Sequence, residues 1–375
     1  MPATSSVAAA AVPAGRIATY TIQEWLFDHA QGRYDLDLAE SGVQFQHLRD
    51  LPLDGAWELD YSLDRGTPEL RAQVTALYGL TDDAARGDRD VMIAHGAQEA
   101  LYLLYRSLLS PGDHVVATAP GWQQAWEVPA HIGCEVSVLD RRPGTPFDTE
   151  ALARAIRPET RILILNSPGN PSGCSLTEQE WEGVLRVARD HGLWVVNDEE
   201  YLLDFSASIV HRYERSVSVS GLSKVYGLPA LRIGWAVAPA ELIEGMVNYK
   251  RYTTVSNSLA WERAATMVLA DRRRHLSRYH GLVEPGLAQL RQFADAHRDV
   301  VELVEPHGTP FAWFHLNSPF SSAEFAERLL ERRRMLVMPA EVFGARQGLR
   351  ISFARPHEVL VEGLRRLSAE LGDLG

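Results

Sequence analysis

The sequence predicts an α/β protein, with a large domain built on a mostly parallel central sheet flanked by helices and a smaller α+β domain. Two observations predict it. From about residue 90, short apolar runs alternate with helical stretches, the pattern of βαβ units whose strands are buried on both faces. After Pro239 long helical patterns take over and are followed by further strand-like runs, so strict alternation ends there.

The elements follow in order. "DVMIAHG" reads as a strand, Gln98–Ser110 as a helix, "HVVATAP" as a strand and Gln123–His131 as a helix. Short apolar runs continue at "CEVSVLD", "RILILN", "LWVVND", "SVSVS" and "RIGWAVA", with helical stretches such as Thr177–His191 between them. Helices are expected over about 240–250, 257–280 and 282–297, then strand "FAWFHL", a helix near 321–334, strands "MLVMP" and "LRISFA", and a last helix near 357–371. This predicts a large domain over residues 51–264 and a small one over 265–375. Residues 16–50 are expected to pack on the small domain, after a flexible tail over residues 1–15.

Composition narrows the function. The chain has 375 residues, 23% charged and 46% hydrophobic, the profile of a globular protein with a large core. A net charge of −12 argues against a nucleic-acid surface. Cys134 and Cys174 make no disulfide framework, so a reducing cytoplasm is expected. The start "MPATSSVAAAAVPAG" lacks the basic region and apolar core of a signal peptide, and no apolar run is long enough for a bilayer. The 13 histidines show no metal-ligand spacing, and no metal is expected.

In parallel α/β sheets, ligands bind at the carboxyl ends of the strands. Here those ends carry polar residues: Asn166 to Gly173 ("NSPGNPSG") after "RILIL", Asp198 to Tyr201 ("DEEY") after "LWVVN", and Lys224 after "SVSVS". Gly96-Ala97-Gln98 opens a helix whose free N–H groups suit an anion, and Arg232 can add a bidentate contact, although standing alone it reads rather as a surface arginine. Lys224 is one of two lysines, the other being Lys250, beside 35 arginines. It can be a surface cation, an ion-pair member or an imine-forming amine. Arginine would serve the first two roles; only lysine can form a Schiff base, once its pKa is lowered.

"NSPGNPSG", "DEEY", "SKVYGLPALRIG" and "LRISFA" stand in the order of the class I/II aminotransferases, fold type I of the pyridoxal phosphate enzymes, and the chain resembles that family from about residue 36 to 355. The resemblance implies pyridoxal 5′-phosphate as cofactor. Lys224 resembles the lysine that holds it, Asp198 the carboxylate paired with its pyridine nitrogen, and Asn170 and Tyr201 the pair on its phenolic oxygen. Trp122 matches the aromatic stacked on the ring, with a core aromatic as the plainer reading. Gly96, Ala97, Gln98, Ser223 and Arg232 would hold the phosphate. Tyr61 resembles a tyrosine that reaches the phosphate of the neighbouring subunit, which implies a homodimer. Arg350 resembles the arginine that grips the substrate α-carboxylate, the alternative being a structural ion pair, with Asn170 beside it and Gly42 offering a backbone N–H. The Asn170–Pro171 bond is expected to be cis.

The chain departs from the family in places. Gly221 stands where the family often has Ser or Thr, three residues before the lysine, so one phosphate hydroxyl is missing or Ser220 replaces it. Ala230 replaces a usual glycine. "LAESGVQ" stands where common members read Gly-Glu-Pro, and its Ser-Gly-Val resembles the capreomycidine synthases, which eliminate the β-hydroxyl of 3-hydroxyarginine and close a ring. Three functions are therefore open: such a cyclase, an ordinary aminotransferase, and a cofactor-binding regulator. For a guanidinium substrate Glu40 is the candidate partner, because it adjoins Gly42; a surface glutamate is the alternative.

Overall fold

The apolar runs assemble into a seven-stranded sheet because their residues alternate between two buried faces. The computed structural model describes residues 17–81 and 87–373; the expected tail over residues 1–15 lies outside them. Its strands are β1 (Leu36–Asp37), β2 (Val91–Ala94), β3 (His114–Ala119), β4 (Glu135–Asp140), β5 (Thr160–Asn166), β6 (Trp194–Asp198), β7 (Ser216–Gly221), β8 (Gly234–Val237), β9 (Val301–Val304), β10 (Phe311–Leu316), β11 (Met335–Leu336), β12 (Met338–Pro339) and β13 (Leu349–Ser352). The large sheet has the order β2-β8-β7-β6-β5-β3-β4. β8 runs antiparallel to both its neighbours, and the other neighbouring pairs are parallel.

Alternation sorts the side chains. Ile162 and Ile164 of β5 join Val196, Val217 and Val219 under the Ala97–Leu108 and Ala240–Lys250 helices. Leu163 and Leu165 point the other way, into a core shared with Val195, Trp235 and the Pro68–Leu77, Glu178–His191 and Leu259–Ala270 helices. With both faces covered, the polar residues that line the cavity come from the strand ends.

A four-stranded antiparallel sheet, β12-β13-β10-β9, follows in sequence. β1 pairs in parallel with β11. From there the chain crosses to the large sheet: Leu38 N–H bonds Leu336 O (3.0 Å), Val43 N–H bonds Lys224 O (3.1 Å) and Gln46 N–H bonds Gly227 O (3.0 Å). Residues 36–46 thus tie the two sheets together at the lysine. The N-terminal segment also reaches both ways, with Trp25 Nε1 on Val337 O and the Thr21 amide on Gln123 Oε1.

The structure corrects three expectations. "MLVMP" is split, with β11 pairing β1 and β12 pairing β13. "VELV", not foreseen as a strand, forms β9 as the edge partner of β10. The expected helix break near residue 281 falls instead at Asp271, between helices Leu259–Ala270 and Arg272–Ala296. Gly281 and Pro285 both lie inside the longer helix. The Gly-and-Pro pattern there has a packing cause: a Cβ on Gly286 would lie 2.3 Å from the Phe353 carbonyl oxygen, so glycine lets the helix meet the end of β13.

Two substitutions separate packing from helix propensity. Gly286→Ala is expected to destabilise the protein by about 1–3 kcal/mol through overpacking. Gly281→Ala, where nothing lies within 4 Å of the new Cβ, is expected to be neutral or to stabilise by up to about 1 kcal/mol. Urea unfolding midpoints of the two variants check both signs.

Candidate active site

The carboxyl ends of β3, β5, β6 and β7 converge, and one cleft collects the residues that follow them. Trp122, Asn166, Asn170 and Asp198 line a common cavity with Tyr105 and Ser172. Trp122 Nε1 donates to Gln98 Oε1 (2.6 Å), and its ring meets Tyr20 edge-on at 5.6 Å. Asn166 fixes the floor, donating from Nδ2 to Asp198 O (2.8 Å) and accepting the Asn170 N–H on Oδ1 (2.6 Å). The Asn170–Pro171 bond is cis. Burial pushes the Asp198 carboxyl up to about 6, and Glu199 adds to this against the Glu200 amide and the Lys224 charge.

Lys224 lies past the end of β7, half-buried, with Nζ 2.9 Å from Glu40 Oε1. Its pKa is not lowered, as imine chemistry led us to expect, but raised. Burial pulls it down, yet Glu40, Tyr201 and Glu200 together push it up by more. Glu40 is likewise no surface residue. Burial would raise its carboxyl, but Lys224, the Gly42 N–H and Arg350 hold it down to about 2. Its Oε1 accepts the Gly42 N–H (2.9 Å), so the amide expected to face a substrate carboxylate is occupied by this side chain. Lys250 is different: it is fully buried, with Nζ on the Ile93 carbonyl (2.8 Å) and on Asn257 Oδ1 (2.5 Å).

Arg350, in β13, reaches Asn170 of the same cleft and is 3% exposed. Its guanidinium donates to Asn170 Oδ1 (2.7 Å) and to the Ala39 carbonyl, lies against Phe311 and Phe343, and leaves Nε without a partner. Among the described residues no carboxylate forms a salt bridge with it, which removes the structural ion pair considered above. Tyr201 is buried edge-on to Phe311 (5.0 Å), its phenol pushed up to about 12 by burial against the charges of Lys224 and Arg350.

Elsewhere on the large sheet, a helix N-terminus meets an arginine. Gly96, at φ 79°, caps the Ala97–Leu108 helix, and a Cβ on it would lie 2.5 Å from Arg232 Nη2. A Cβ on Gly234 would lie 2.5 Å from Ala97 N, so glycine there opens the helix N-terminus to the sheet. Arg232 is exposed, bonded to the His95 and Pro229 carbonyls (3.1 Å each). Ser223 is buried in the turn before Lys224. Ser220 does not stand in for the missing hydroxyl: its Oγ donates to Glu199 O (3.1 Å). Tyr61 is 83% exposed and pairs with Ser258 in an isolated bridge.

Two contributors escaped the sequence reading. Arg355 is buried and holds the Glu40–Gly42 turn by its backbone, with Nη2 on Glu40 O and Nη1 on Gly42 O (2.8 Å each). It follows "LRISFA" directly, and that adjacency was its one visible mark. Glu200, the second glutamate of "DEEY", is buried with Oε2 unpartnered.

Comparison with known proteins agrees with this geometry. Residues 54–367 match the family model for aminotransferase class I and II. A capreomycidine synthase from Streptomyces vinaceus is 30% identical, covering 94% of this chain and 93% of its own. An arginine–pyruvate transaminase from Pseudomonas aeruginosa is also 30% identical, covering 82% of this chain and 81% of its own. Among solved structures, the pyridoxal-phosphate-dependent cyclase OrfR superposes with a TM-score of 0.87 at 27% identity, covering 96% of this chain and 98% of its own. The residues fit that cofactor: the Trp122 ring and the Asp198 carboxyl line the cavity, the Lys224 amine is half-buried against Glu40, and the helix N-terminus at Gly96 meets Arg232. The chain belongs to the class I and II aminotransferase family and is an enzyme dependent on pyridoxal 5′-phosphate.

Proposed function

We propose that this enzyme eliminates the β-hydroxyl of a basic L-amino acid and closes its guanidinium nitrogen onto Cβ, with 3-hydroxyarginine as substrate. The observation that carries the reading is the half-buried Glu40 carboxylate, 2.9 Å from Lys224 Nζ. Once Lys224 is engaged by the cofactor, Glu40 is left as a desolvated anion without its cation, which is costly. A substrate guanidinium supplies that charge in a planar, bidentate form. The 30% identity to a capreomycidine synthase and the likeness to a cyclase point the same way.

In this reading Lys224 holds the cofactor, Asp198 faces its pyridine nitrogen, Asn170 and Tyr201 its phenolic oxygen, and Trp122 its ring. The Gly96, Ala97 and Gln98 end of the helix, with Ser223 and Arg232, holds its phosphate. When bound, pyridoxal phosphate supplies an electron sink for the bond broken at Cα. Arg350, unpaired with any carboxylate, clamps the substrate α-carboxylate, and Asn170 keeps the clamp in place. Lys224 Nζ, freed as substrate arrives, takes the Cα proton. The Cβ–O bond then breaks, and the hydroxyl takes up a proton and leaves as water. A guanidinium nitrogen bonds to Cβ and gives up a proton, and one returns to Cα, so the net change is loss of one water. Glu40 orients that nitrogen.

The same reading takes residues 51–264 as the cofactor-binding domain and 265–375 as a small domain, supported by their separate sheets. It also takes the enzyme as a cytoplasmic homodimer. Support comes from Leu59, Tyr61, Leu63 and Tyr252, apolar or aromatic side chains that lie exposed near one another in sequence or across the Tyr61–Ser258 bridge.

Purified enzyme given 3-hydroxyarginine without any 2-oxo acid is expected to release a product lighter by one water, catalytically, with the cofactor still in its aldehyde form. Stoichiometric conversion to pyridoxamine phosphate with a 2-oxo acid product would instead mark an aminotransferase. Mass spectrometry and absorbance separate the two. Glu40→Gln is expected to raise the KM for 3-hydroxyarginine roughly 10- to 100-fold, the loss of a charge-assisted bond. The same change removes a group that raises the Lys224 pKa, so more of the amine is neutral at a given pH. Cofactor capture by the variant should therefore be faster, with its pH profile moved downward, as stopped-flow absorbance would record.

A further inference from the structure

Glu200 is a buried carboxyl beside this cleft that the proposed chemistry does not use. It is 7% exposed, and its Oε2 is buried with no hydrogen-bond partner. Its Oε1 lies 2.7 Å from where a Cβ on Gly221 would stand. Glu200 thus occupies the space of a side chain at position 221, which the Ile233 carbonyl oxygen, 2.9 Å away, crowds as well. Gly221 pairs with Gly234 across β7 and β8, and Gly234 abuts Gly96 and Ala97 at the helix N-terminus. The carboxyl is therefore close to the helix end proposed to hold the phosphate. Lys224 and Arg232 act on it as cations, Asp198 and Glu40 as anions, and the Tyr201 phenol senses it as well.

We propose that Glu200, as a neutral carboxylic acid, donates an O–H hydrogen bond to the cofactor phosphate, replacing the hydroxyl that Gly221 lacks. An ionised carboxylate accepts only and would repel a phosphate dianion; the protonated acid has a donor. The surroundings keep it protonated: burial first, then the neighbouring Asp198 charge, push its carboxyl up to about 8, against Lys224 and Arg232. A bound dianion pushes it further in the same direction. The inference rests on the phosphate placement proposed above.

The sign of the pH dependence follows. Glu200 has a higher pKa with phosphate bound than without, so affinity is full below about 8 and declines above it, by up to about tenfold per pH unit. The test is calorimetric titration of the full-length chain, freed of cofactor, with pyridoxamine 5′-phosphate and with pyridoxamine. Neither ligand carries the aldehyde that condenses with lysine. In wild type the phosphorylated ligand should weaken above pH 8 relative to pyridoxamine. Glu200→Gln, whose amide donates at any pH, should keep the neutral-pH affinity within roughly threefold and abolish the decline, while Glu200→Ala should lose roughly tenfold for the phosphorylated ligand alone.

Arg232→Ala separates the two claims: it should remove the preference for phosphate. If it does so while Glu200→Gln keeps the wild-type pH profile, the phosphate site stands and the role of Glu200 falls. If Arg232→Ala keeps the preference, the phosphate is elsewhere and both fall. Equal losses for both ligands in the Glu200 variants would mark a structural residue and overturn the proposal.

Discussion

The 2.9 Å contact between the Lys224 ammonium and the Glu40 carboxylate joins two parts of the chain that sequence keeps far apart. Lys224 belongs to the turn after β7, and Glu40 to the strand-like crossing that began against β11. Neither charge is comfortable in this cleft by itself. Burial opposes both, and each favours the ionised form of the other. Arg355 supports the arrangement from behind by pinning the carbonyls of Glu40 and Gly42. The lysine, the carboxylate and the small sheet are consequently held in a fixed relation before any ligand arrives.

That pre-organisation places opposite charges in order along the cleft. Arg350 is a buried cation whose partners are neutral oxygens, and Arg232 with the Gly96–Ala97 helix end is a second positive locus. Glu40 and Asp198 supply the negative groups that act with Lys224. A small molecule carrying a phosphate at one end and meeting a carboxylate at the other matches this alternation. A neutral or purely apolar ligand would leave these groups unsatisfied.

The fold was legible because a parallel sheet covered on both faces must be written as apolar runs, and its polar residues are then pushed to the strand ends. Asn170, Asp198, Tyr201 and Lys224 stood out for that reason, and the structure brings them to one cleft. Contacts between residues distant in sequence were not legible. Glu200 stood in the strand-end "DEEY", but its burial against Gly221 was not visible in the sequence. Arg355 looks like a stray cation until the 40–42 turn folds onto it. The helix across Gly281 and Pro285 shows the same limit, because a Gly-Pro pattern that usually breaks a helix is outweighed by the fit of Gly286 to β13.

The chain contains two lysines, and the structure gives them opposite surroundings. Lys250 is sealed between the Ile93 carbonyl and Asn257, whereas Lys224 opens on the cleft. Borohydride trapping of the native holoenzyme, followed by peptide mapping, tests the central claim directly. The account predicts the cofactor covalently fixed to the peptide that carries Lys224. A label on Lys250, or cofactor that washes free after reduction, would contradict it.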